Sequence, residues 1–187
     1  MYILGKTCLL ERLANGEYSD QQSPTVEEKY DCTLKVNDQD IKMSLQDTMG
    51  QEAFRQITQS FYQGCQAIVI CYDVTDKNSF ELVPQWMEEI KKYTTGNFVP
   101  IVLVGNKCDV VDSKAVTERD AEAYAKKNKI SFFETSAKQN VNVEDPFIDL
   151  VEQLMAGPKY QSMSRDPKAL LEAQGATPVK KKSCNLL

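Results

Sequence analysis

Histidine is absent from the 187 residues of this chain, and its absence removes whole classes of chemistry. Ser-His-Asp and Cys-His relays cannot form, and neither can a zinc site that uses imidazole. Long apolar runs are also missing, because the longest, Ala67 to Tyr72, is far shorter than the roughly 20 residues that cross a bilayer. The six cysteines show no framework spacing and no secretory leader precedes them, so we expect reduced thiols in a cytosolic protein.

Charge is unevenly distributed along the chain. Residues 159–187 carry a net charge of +4, whereas residues 1–158 carry −9. Binding to nucleic acid favours a basic face on the folded domain, so the acidic body argues against a nucleic-acid partner. The basic tail instead suits contact with an anionic membrane surface. We therefore expect one domain at residues 1–158 and a disordered tail at 159–187, which is polar and lacks apolar periodicity.

Short apolar runs alternate with longer amphipathic stretches, a pattern typical of a mostly parallel sheet with helices on both faces. Residues 67–72 and 101–105 are continuous apolar runs, as expected of strands buried on both faces. Residues 131–135 are predicted to form another strand. Residues 32–36 and 41–45 flank a turn-rich tetrapeptide and are predicted to pair as an antiparallel hairpin.

Helical periodicity predicts three helices along the chain. Pro84 interrupts the first apolar stripe, which spans residues 80–90, so the helix is expected to start late. Thr117 followed by Asp120 has the spacing of a capping box, and Pro146 suits the first turn of the last helix.

The first motif that carries chemistry is Gly5-Lys6-Thr7, at the start of an amphipathic stretch. A helix N-terminus presents free backbone N–H groups and partial positive charge, which suit the phosphates of a nucleotide. The backbone from Gly5 to Cys8 and the Lys6 amine are predicted to hold phosphates, and the Thr7 hydroxyl to bind Mg²⁺. Taken alone, these residues also fit an ordinary helix start.

A second motif, residues 47–52, directly follows a predicted strand. Asp47 suits the coordination shell of Mg²⁺, the Gly50 amide suits a γ-phosphate, and the Gln51 side chain can orient water for in-line attack. Taken alone, this hexapeptide also fits a polar turn.

Two later motifs suit a purine base. Asn106, Lys107 and Asp109 follow the apolar run at 101–105, and the Asp109 carboxylate matches the N1–H and exocyclic amine of guanine, a donor pair that adenine lacks. Ser136-Ala137-Lys138 follows a predicted strand and is placed to close over the base from the other side. Each motif alone fits a surface loop, but four in this order predict a guanine-nucleotide site.

Together these motifs resemble those of a small GTPase of the Ras superfamily over residues 5–158, most closely its Rab branch. Residues 53–62, 72–76 and 104–109 carry the likeness to Rab proteins. Residues 26–30 depart from the Rab switch sequence and are closer to Ras or Rho, so a Ras- or Rho-type signalling GTPase is the alternative within the superfamily.

The resemblance implies a P-loop NTPase fold with a six-stranded sheet and a switch that alternates between GTP and GDP in vesicle-mediated membrane traffic. It implies slow GTP hydrolysis. It also implies that Thr25 is the switch threonine of the family, which is a further Mg²⁺ ligand beside Thr7. The implied partners are an exchange factor, a GTPase-activating protein and effectors, with the GTPase itself a monomer.

The last motif comprises Cys184 to Leu187, preceded by three lysines and a serine. A cysteine followed by three residues ending in leucine resembles a C-a-a-X box of the geranylgeranyl type. One lipid chain with a polybasic patch makes a two-signal anchor. The motif therefore predicts lipidation at Cys184 and a peripheral position on the cytosolic face of a membrane.

Two features depart from the family. A full phosphate loop has a glycine five residues before Gly5, which would fall before Met1, and the first strand of the fold would precede it. Met49 stands where a small alanine is usual. Two interpretations follow: an incomplete or mis-started form of a normal GTPase, or a degenerate pseudo-GTPase that acts as an interaction module without effective nucleotide binding. The missing strand is central to the sheet of this fold, so its loss is expected to leave the neighbouring strands unpaired and phosphates poorly held.

Overall fold

The computed structural model describes residues 4–20, 28–48, 62, 64–94 and 98–158, together with the backbone of residues 182–186. Its helices are α1 (Lys6–Asn15), α2 (Lys77–Glu81), α3 (Val83–Tyr93), α4 (Glu118–Asn128) and α5 (Asp145–Ala156), with one 3₁₀ turn at Val111–Ser113. Its strands are β1 (Glu28–Val36), β2 (Gln39–Asp47), β3 (Ala67–Asp73), β4 (Ile101–Asn106), β5 (Ser131–Glu134) and β6 (Lys182–Leu186).

The strands form one six-stranded sheet in the order β1-β2-β6-β3-β4-β5. Strands β1 and β2 pair antiparallel, and every other neighbouring pair is parallel. A mostly parallel sheet is the arrangement that the alternating apolar and amphipathic stretches predict, and it is confirmed.

Strand β3 shows why its sequence is a continuous apolar run. All seven of its residues are buried. Ala67, Val69 and Cys71 pack into one core with α1 and α5, whereas Ile68 and Ile70 pack into a second core with α3 and α4. Successive side chains of a strand point to opposite faces, so a strand covered by helices on both faces needs apolar residues at every position.

The predicted hairpin is present, and its turn is tighter than the tetrapeptide suggested. Strands β1 and β2 pair from Glu28 with Asp47 to Val36 with Gln39. Only Asn37 and Asp38 form the turn, and both have positive φ, at 49° and 61°. Two central residues with positive φ match the right-handed twist of a two-residue hairpin, and asparagine and aspartate tolerate that conformation well.

The predicted helix starts are also confirmed. Helix α3 begins at Val83 with Pro84 in its first turn, after the separate short helix α2. The Asp120 backbone N–H donates to the Thr117 hydroxyl at the start of α4. Pro146 lies in the first turn of α5, where a missing N–H removes no helical hydrogen bond.

Strand β6 differs from the predicted disordered tail. Residues 182–186 pair in parallel with β2 on one side and with β3 on the other. The two strands that we expected to be left without a central partner are therefore joined through the C-terminal segment. The polar composition of the tail gave no indication of this, because strand pairing is satisfied by backbone groups whatever the side chains are.

Among the described residues, no helix is both long enough and apolar enough to span a membrane.

Candidate guanine-nucleotide site

A cleft of about 280 Å³ lies where the N-terminus of α1 meets the carboxyl ends of β4 and β5. In open parallel sheets, ligands bind outside the carboxyl ends of the strands. The lining includes most of the predicted phosphate- and base-binding residues as well as some that the motifs did not indicate: Gly5, Cys8, Tyr18, Ser19, Asp20, Asn106, Lys107, Asp109, Val110, Ala137 and Lys138. The structure thus brings three distant parts of the chain to one surface.

Gly5 caps helix α1 in a conformation that favours glycine. Its φ is 73°, in the left-handed region, and its carbonyl accepts the first helical hydrogen bond from Leu9. A Cβ at this position would lie 2.6 Å from Asn106 Nδ2, closer than a side chain tolerates. Only glycine lets the backbone pass this close to the end of β4, which leaves the helix N-terminus facing the cleft.

Asn106 ties the two sides of the cleft together. The residue is buried, and its Nδ2 donates to the carbonyls of Leu4 at 3.1 Å and Gly5 at 3.2 Å. Its Oδ1 accepts a hydrogen bond from Thr135 Oγ1 at 3.2 Å. Asn106 therefore fixes the entry to α1 relative to the end of β5.

Lys107 has left-handed backbone geometry, with φ of 66°, directly after β4. Its Nζ lies 2.6 Å from Oδ2 of Asp73, which ends β3 and is buried. The other carboxylate oxygen of Asp73 accepts from the backbone N–H and hydroxyl of Thr75. A lysine held at a buried carboxylate presents its stem to the cleft in a fixed position. The motifs that carry chemistry did not indicate Asp73. The signal for it in the sequence is an acidic residue at the end of an otherwise apolar strand.

Asp109 is fixed by Ser136, a residue from the second base motif. Ser136 Oγ donates to Asp109 Oδ1 at 2.6 Å. Ser136 Oγ also accepts a hydrogen bond from the Gln139 N–H at 3.0 Å. Ser136 is fully buried. The bond to one carboxylate oxygen sets the rotation of the Asp109 carboxylate, which a two-point match to a base edge requires.

The backbone of Ala137 and Lys138 is held by Arg12 at the far end of α1. Arg12 Nε donates to the Ala137 carbonyl at 2.8 Å, and Nη2 lies 3.5 Å from the Lys138 carbonyl. Its Nη1 donates to the Gly16 carbonyl at 2.6 Å. Arg12 carries no motif signal, because its partners in the base loop, Ala137 and Lys138, are backbone carbonyls more than a hundred residues away in the sequence.

A polar cluster at the rim of the cleft comprises Tyr18, Asp20 and Lys138. Tyr18 Oη donates to Asp20 Oδ1 at 2.7 Å, and Lys138 Nζ lies 3.6 Å from the same oxygen. The hydrogen bond from Tyr18 lowers the pKa of Asp20, and the positive charge of Lys138 lowers it further. The Tyr18 ring adds an aromatic wall to the cleft. No motif indicated Tyr18.

Two of the predicted metal-binding residues, Thr7 and Asp47, lie in contact. Thr7 Oγ1 donates to Asp47 Oδ2 at 2.6 Å, although the two residues are forty positions apart. Asp47 is fully buried at the end of β2. A hydroxyl and a carboxylate oxygen in contact are the hard donors that Mg²⁺ prefers, so the donor set fits that ion.

Lys6 is buried in the first turn of α1, with 8% of its surface exposed. Within the described residues, no carboxylate lies in ion-pair contact with its amine. A buried ammonium is costly unless an anion balances it. An anionic ligand at the N-terminus of α1 satisfies that requirement.

Three predicted site residues, Thr25, Gly50 and Gln51, lie outside the described part of the chain, as does Met49. Of Cys184 only the backbone position is described, in β6.

The fold is that of an α/β protein, and its cleft offers a helix N-terminus that suits phosphates and polar loops that suit a base. The model of the Ras family matches residues 2–156. A GTP-binding protein YPTM1 from Zea mays is 39% identical over 92% of this chain and 84% of its own length. Human Ras-related protein Rab-30 is 35% identical over 92% and 85%. YPT1, a GTP-binding protein of Saccharomyces cerevisiae, is 38% identical over 86% and 78%. The chain belongs to the Ras family and is a Rab-like small GTPase.

Proposed function

We propose that this Rab-like GTPase uses the cleft between α1 and the ends of β4 and β5 as its guanine-nucleotide site. It binds GTP and GDP, hydrolyses GTP slowly and acts as a switch in vesicle-mediated membrane traffic. The observation that carries the site assignment is the fixed Asp109 carboxylate, held by buried Ser136 beside Asn106 and Lys107.

Guanine recognition follows from the acceptors at this end of the cleft. The Asp109 carboxylate accepts from the N1–H and the exocyclic amine of guanine, whereas adenine offers an unprotonated N1 there and leaves the carboxylate unpaired. The Lys107 stem and the Tyr18 ring provide surfaces for the two faces of the base, and the backbone of Ala137 and Lys138 covers its edge. A bound base that covers the Asp109 carboxylate without pairing to it costs more than a lost contact, so the site strongly favours guanine over adenine.

The phosphate side uses charge and free backbone donors. Lys6 and the N–H groups from Gly5 to Cys8 hold the β- and γ-phosphates at the positive end of α1. Thr7 and Thr25 bind Mg²⁺, and Asp47 orders its shell through the bond to Thr7. Mg²⁺ held by these residues would supply the positive charge that offsets negative charge developing on the phosphates. The Gly50 amide contacts the γ-phosphate, which couples the segments around Thr25 and Gln51 to the nucleotide state.

Hydrolysis needs an ordered water and little else from the chain. Gln51 orients the water for in-line attack on the γ-phosphate. A GTPase-activating partner that supplies an arginine accelerates this step by about 10³–10⁵. An exchange factor opens the site, and effectors bind the switch segments in the GTP state.

The tail supplies the membrane contact. Lipidation of Cys184, together with the three preceding lysines, anchors the GTPase peripherally on the cytosolic face of a membrane. Each lysine near an anionic leaflet contributes about 1 kcal/mol.

Two measurements on the purified 187-residue chain test the proposal. We expect about one GDP per protein after denaturation and extraction, and single-turnover GTP hydrolysis that Gln51→Leu slows by about tenfold or more, because the water loses its hydrogen-bond partner. The control is Gln39→Leu, an exposed position at the start of β2 far from the cleft, which should hydrolyse at the wild-type rate. A folded protein that purifies empty and does not take up GDP contradicts the proposal and favours the interaction module.

A further inference from the structure

The central position of the sheet is filled by the same residues that carry the lipid-anchor motif. Strand β6 pairs with β2 through five register positions, from Met43 with Lys182 to Asp47 with Leu186. It pairs with β3 through three, from Ala67 with Cys184 to Val69 with Leu186. Cys184 is thus matched on both sides, by Leu45 and by Ala67.

The flanking strands need a partner at this position. Leu45 and Ala67 belong to the core that packs against α1 and α5, and only 1% and 2% of their surfaces are exposed. Without a strand between them, the facing edges of β2 and β3 would present unpaired N–H and C=O groups inside the protein, which is unfavourable. The gap between β2 and β3 is therefore a strand-acceptor site, which takes an extended segment in parallel orientation through backbone hydrogen bonds.

Strand β6 is more polar than the other parallel strands of the sheet, so we expect it to be bound less tightly than they are. Strands β3 and β4, AIVICYD and IVLVGN, are apolar up to the polar residue at their ends, whereas β6 is KSCNL. Central parallel strands are normally continuous apolar runs, because both of their faces are buried. A strand with lysine, serine and asparagine gains little from burial, so its binding depends on backbone pairing and is reversible.

We propose that the C-terminal segment 182–186 is an intramolecular ligand of this strand-acceptor site, and that its insertion and the lipidation of Cys184 exclude each other. The inference rests on the lipid anchor included in the proposed function. Inserted, the segment completes the sheet and keeps the chain off the membrane. Released, it is an extended C-terminal motif that a prenyltransferase can bind.

Lipidation of Cys184 is an alkylation of its sulfur, and it requires that the C-terminal segment be released from the sheet. The Cys184 thiol loses its proton to solvent, its sulfur forms a C–S bond to C1 of an isoprenyl diphosphate, and the C–O bond to diphosphate breaks. The product carries a long isoprenyl chain at residue 184. A sheet with helices packed on both faces has no room for that chain at a central strand, so the lipidated segment cannot return to the sheet.

Amide hydrogen exchange on the full chain tests the insertion directly. We expect the backbone amides of residues 182–186 to exchange at least about 100-fold more slowly than in an unstructured peptide of the same sequence, as for other paired strands. Ser183→Pro should abolish this protection, because proline lacks the N–H and cannot continue a central strand. The matched control Ser183→Val introduces a good strand former at the same position and should retain the protection.

Two results would overturn the insertion. One is exchange of residues 182–186 at the unstructured rate in the wild-type chain, a measurement that does not depend on Ser183→Pro folding. The other is an unchanged melting temperature in a chain ending at Lys181, because removal of a central strand must destabilise the sheet.

Prenylation kinetics test the exclusion and separate it from the anchor proposal. With geranylgeranyl diphosphate and a C-a-a-X transferase, we expect the intact chain to react at least about tenfold more slowly than a free peptide of residues 180–187. Ser183→Pro, which lies outside the motif of the last four residues, should restore the faster rate. Equal rates for intact chain and peptide overturn the exclusion. If the peptide is not modified, the anchor proposal fails, while hydrogen exchange still decides whether the segment is inserted.

Discussion

The base side and the phosphate side of the cleft are held in different ways. On the base side, Asp109 is bonded to buried Ser136, and Lys107 to buried Asp73, in loops that follow the apolar strands β3, β4 and β5. On the phosphate side, Thr7 and Asp47 meet at the end of β2, whose inner edge is paired with β6 from the C-terminal segment.

The difference shows that base recognition depends on contacts between neighbouring strands of one half of the sheet. Metal and phosphate binding depend on β2, and β2 is held in place through a polar central strand. Two residues tie the sides together: Asn106, which donates to the carbonyls of Leu4 and Gly5, and Arg12 of α1, which donates to the Ala137 carbonyl. Disturbing β6 should therefore affect the metal site more than base selectivity.

The largest effect is expected at the base side, from Asp109→Asn. The amide replaces a charged acceptor that makes two hydrogen bonds to guanine, each worth about 1.5–3 kcal/mol. We expect GDP affinity to fall by about 100- to 10,000-fold, measured by competition with a fluorescent guanine nucleotide. Xanthine carries a carbonyl where guanine has the amine, so XDP should bind the variant better than GDP does.

The control for this variant is Asp112→Asn in the exposed 3₁₀ turn three residues on, which should bind GDP like the wild type. GDP affinity retained in Asp109→Asn would remove Asp109 from the base site.

A smaller effect is expected at the phosphate side, from Thr7→Ala. The substitution removes both a proposed metal ligand and the 2.6 Å bond to Asp47. We expect the Mg²⁺ concentration needed for half-maximal GDP retention to rise by about 10- to 100-fold, as for other changes to the support of a metal site. Thr7→Ser keeps the hydroxyl and should stay close to wild type. In the presence of EDTA the variants should converge; a difference that persists there would point to lost helix stability instead.

The smallest effect is expected at the rim, from Tyr18→Phe. Removing the hydroxyl removes the main cause of the lowered pKa of Asp20, so that pKa should rise toward its ordinary value. Because the folded-state pKa is lowered, the interaction stabilises the protein above the ordinary pKa and is lost as pH falls through the folded value.

Carbon-detected NMR titration of the Asp20 carboxyl between about pH 2 and 6 measures the change. Lys138→Met should raise the pKa less, since Lys138 is the smaller cause. An Asp20 pKa unaffected by Tyr18→Phe would show that the two side chains do not interact in solution.

Much of the site was predictable because its residue types are dictated by chemistry. Gly5 precedes a helix N-terminus, Asp47 ends a strand, and Asp109 follows one, so each carries a local signal in the sequence. Among the supporting residues, Asp73 had only the weak signal of an acid at the end of an apolar strand, and Arg12 and Tyr18 had none. Asp73, Arg12 and Tyr18 act through partners that only folding brings near, and Arg12 bonds to backbone carbonyls, which leave no trace in residue identity.

The sequence by itself determined the layout of the sheet and the place of the chemistry. Continuous apolar runs specify strands buried on both faces, amphipathic stretches specify covering helices, and polar motifs at strand ends specify where a nucleotide binds. Only the tertiary structure decided which segment completes the sheet. Residues 182–186 are polar and lie far from β2 and β3 in sequence, so no hydrophobic pattern marks them as a central strand. Backbone N–H and C=O groups are the same for every residue except proline, and the unpaired edges of β2 and β3 therefore accept a segment that its side chains alone would place in solvent.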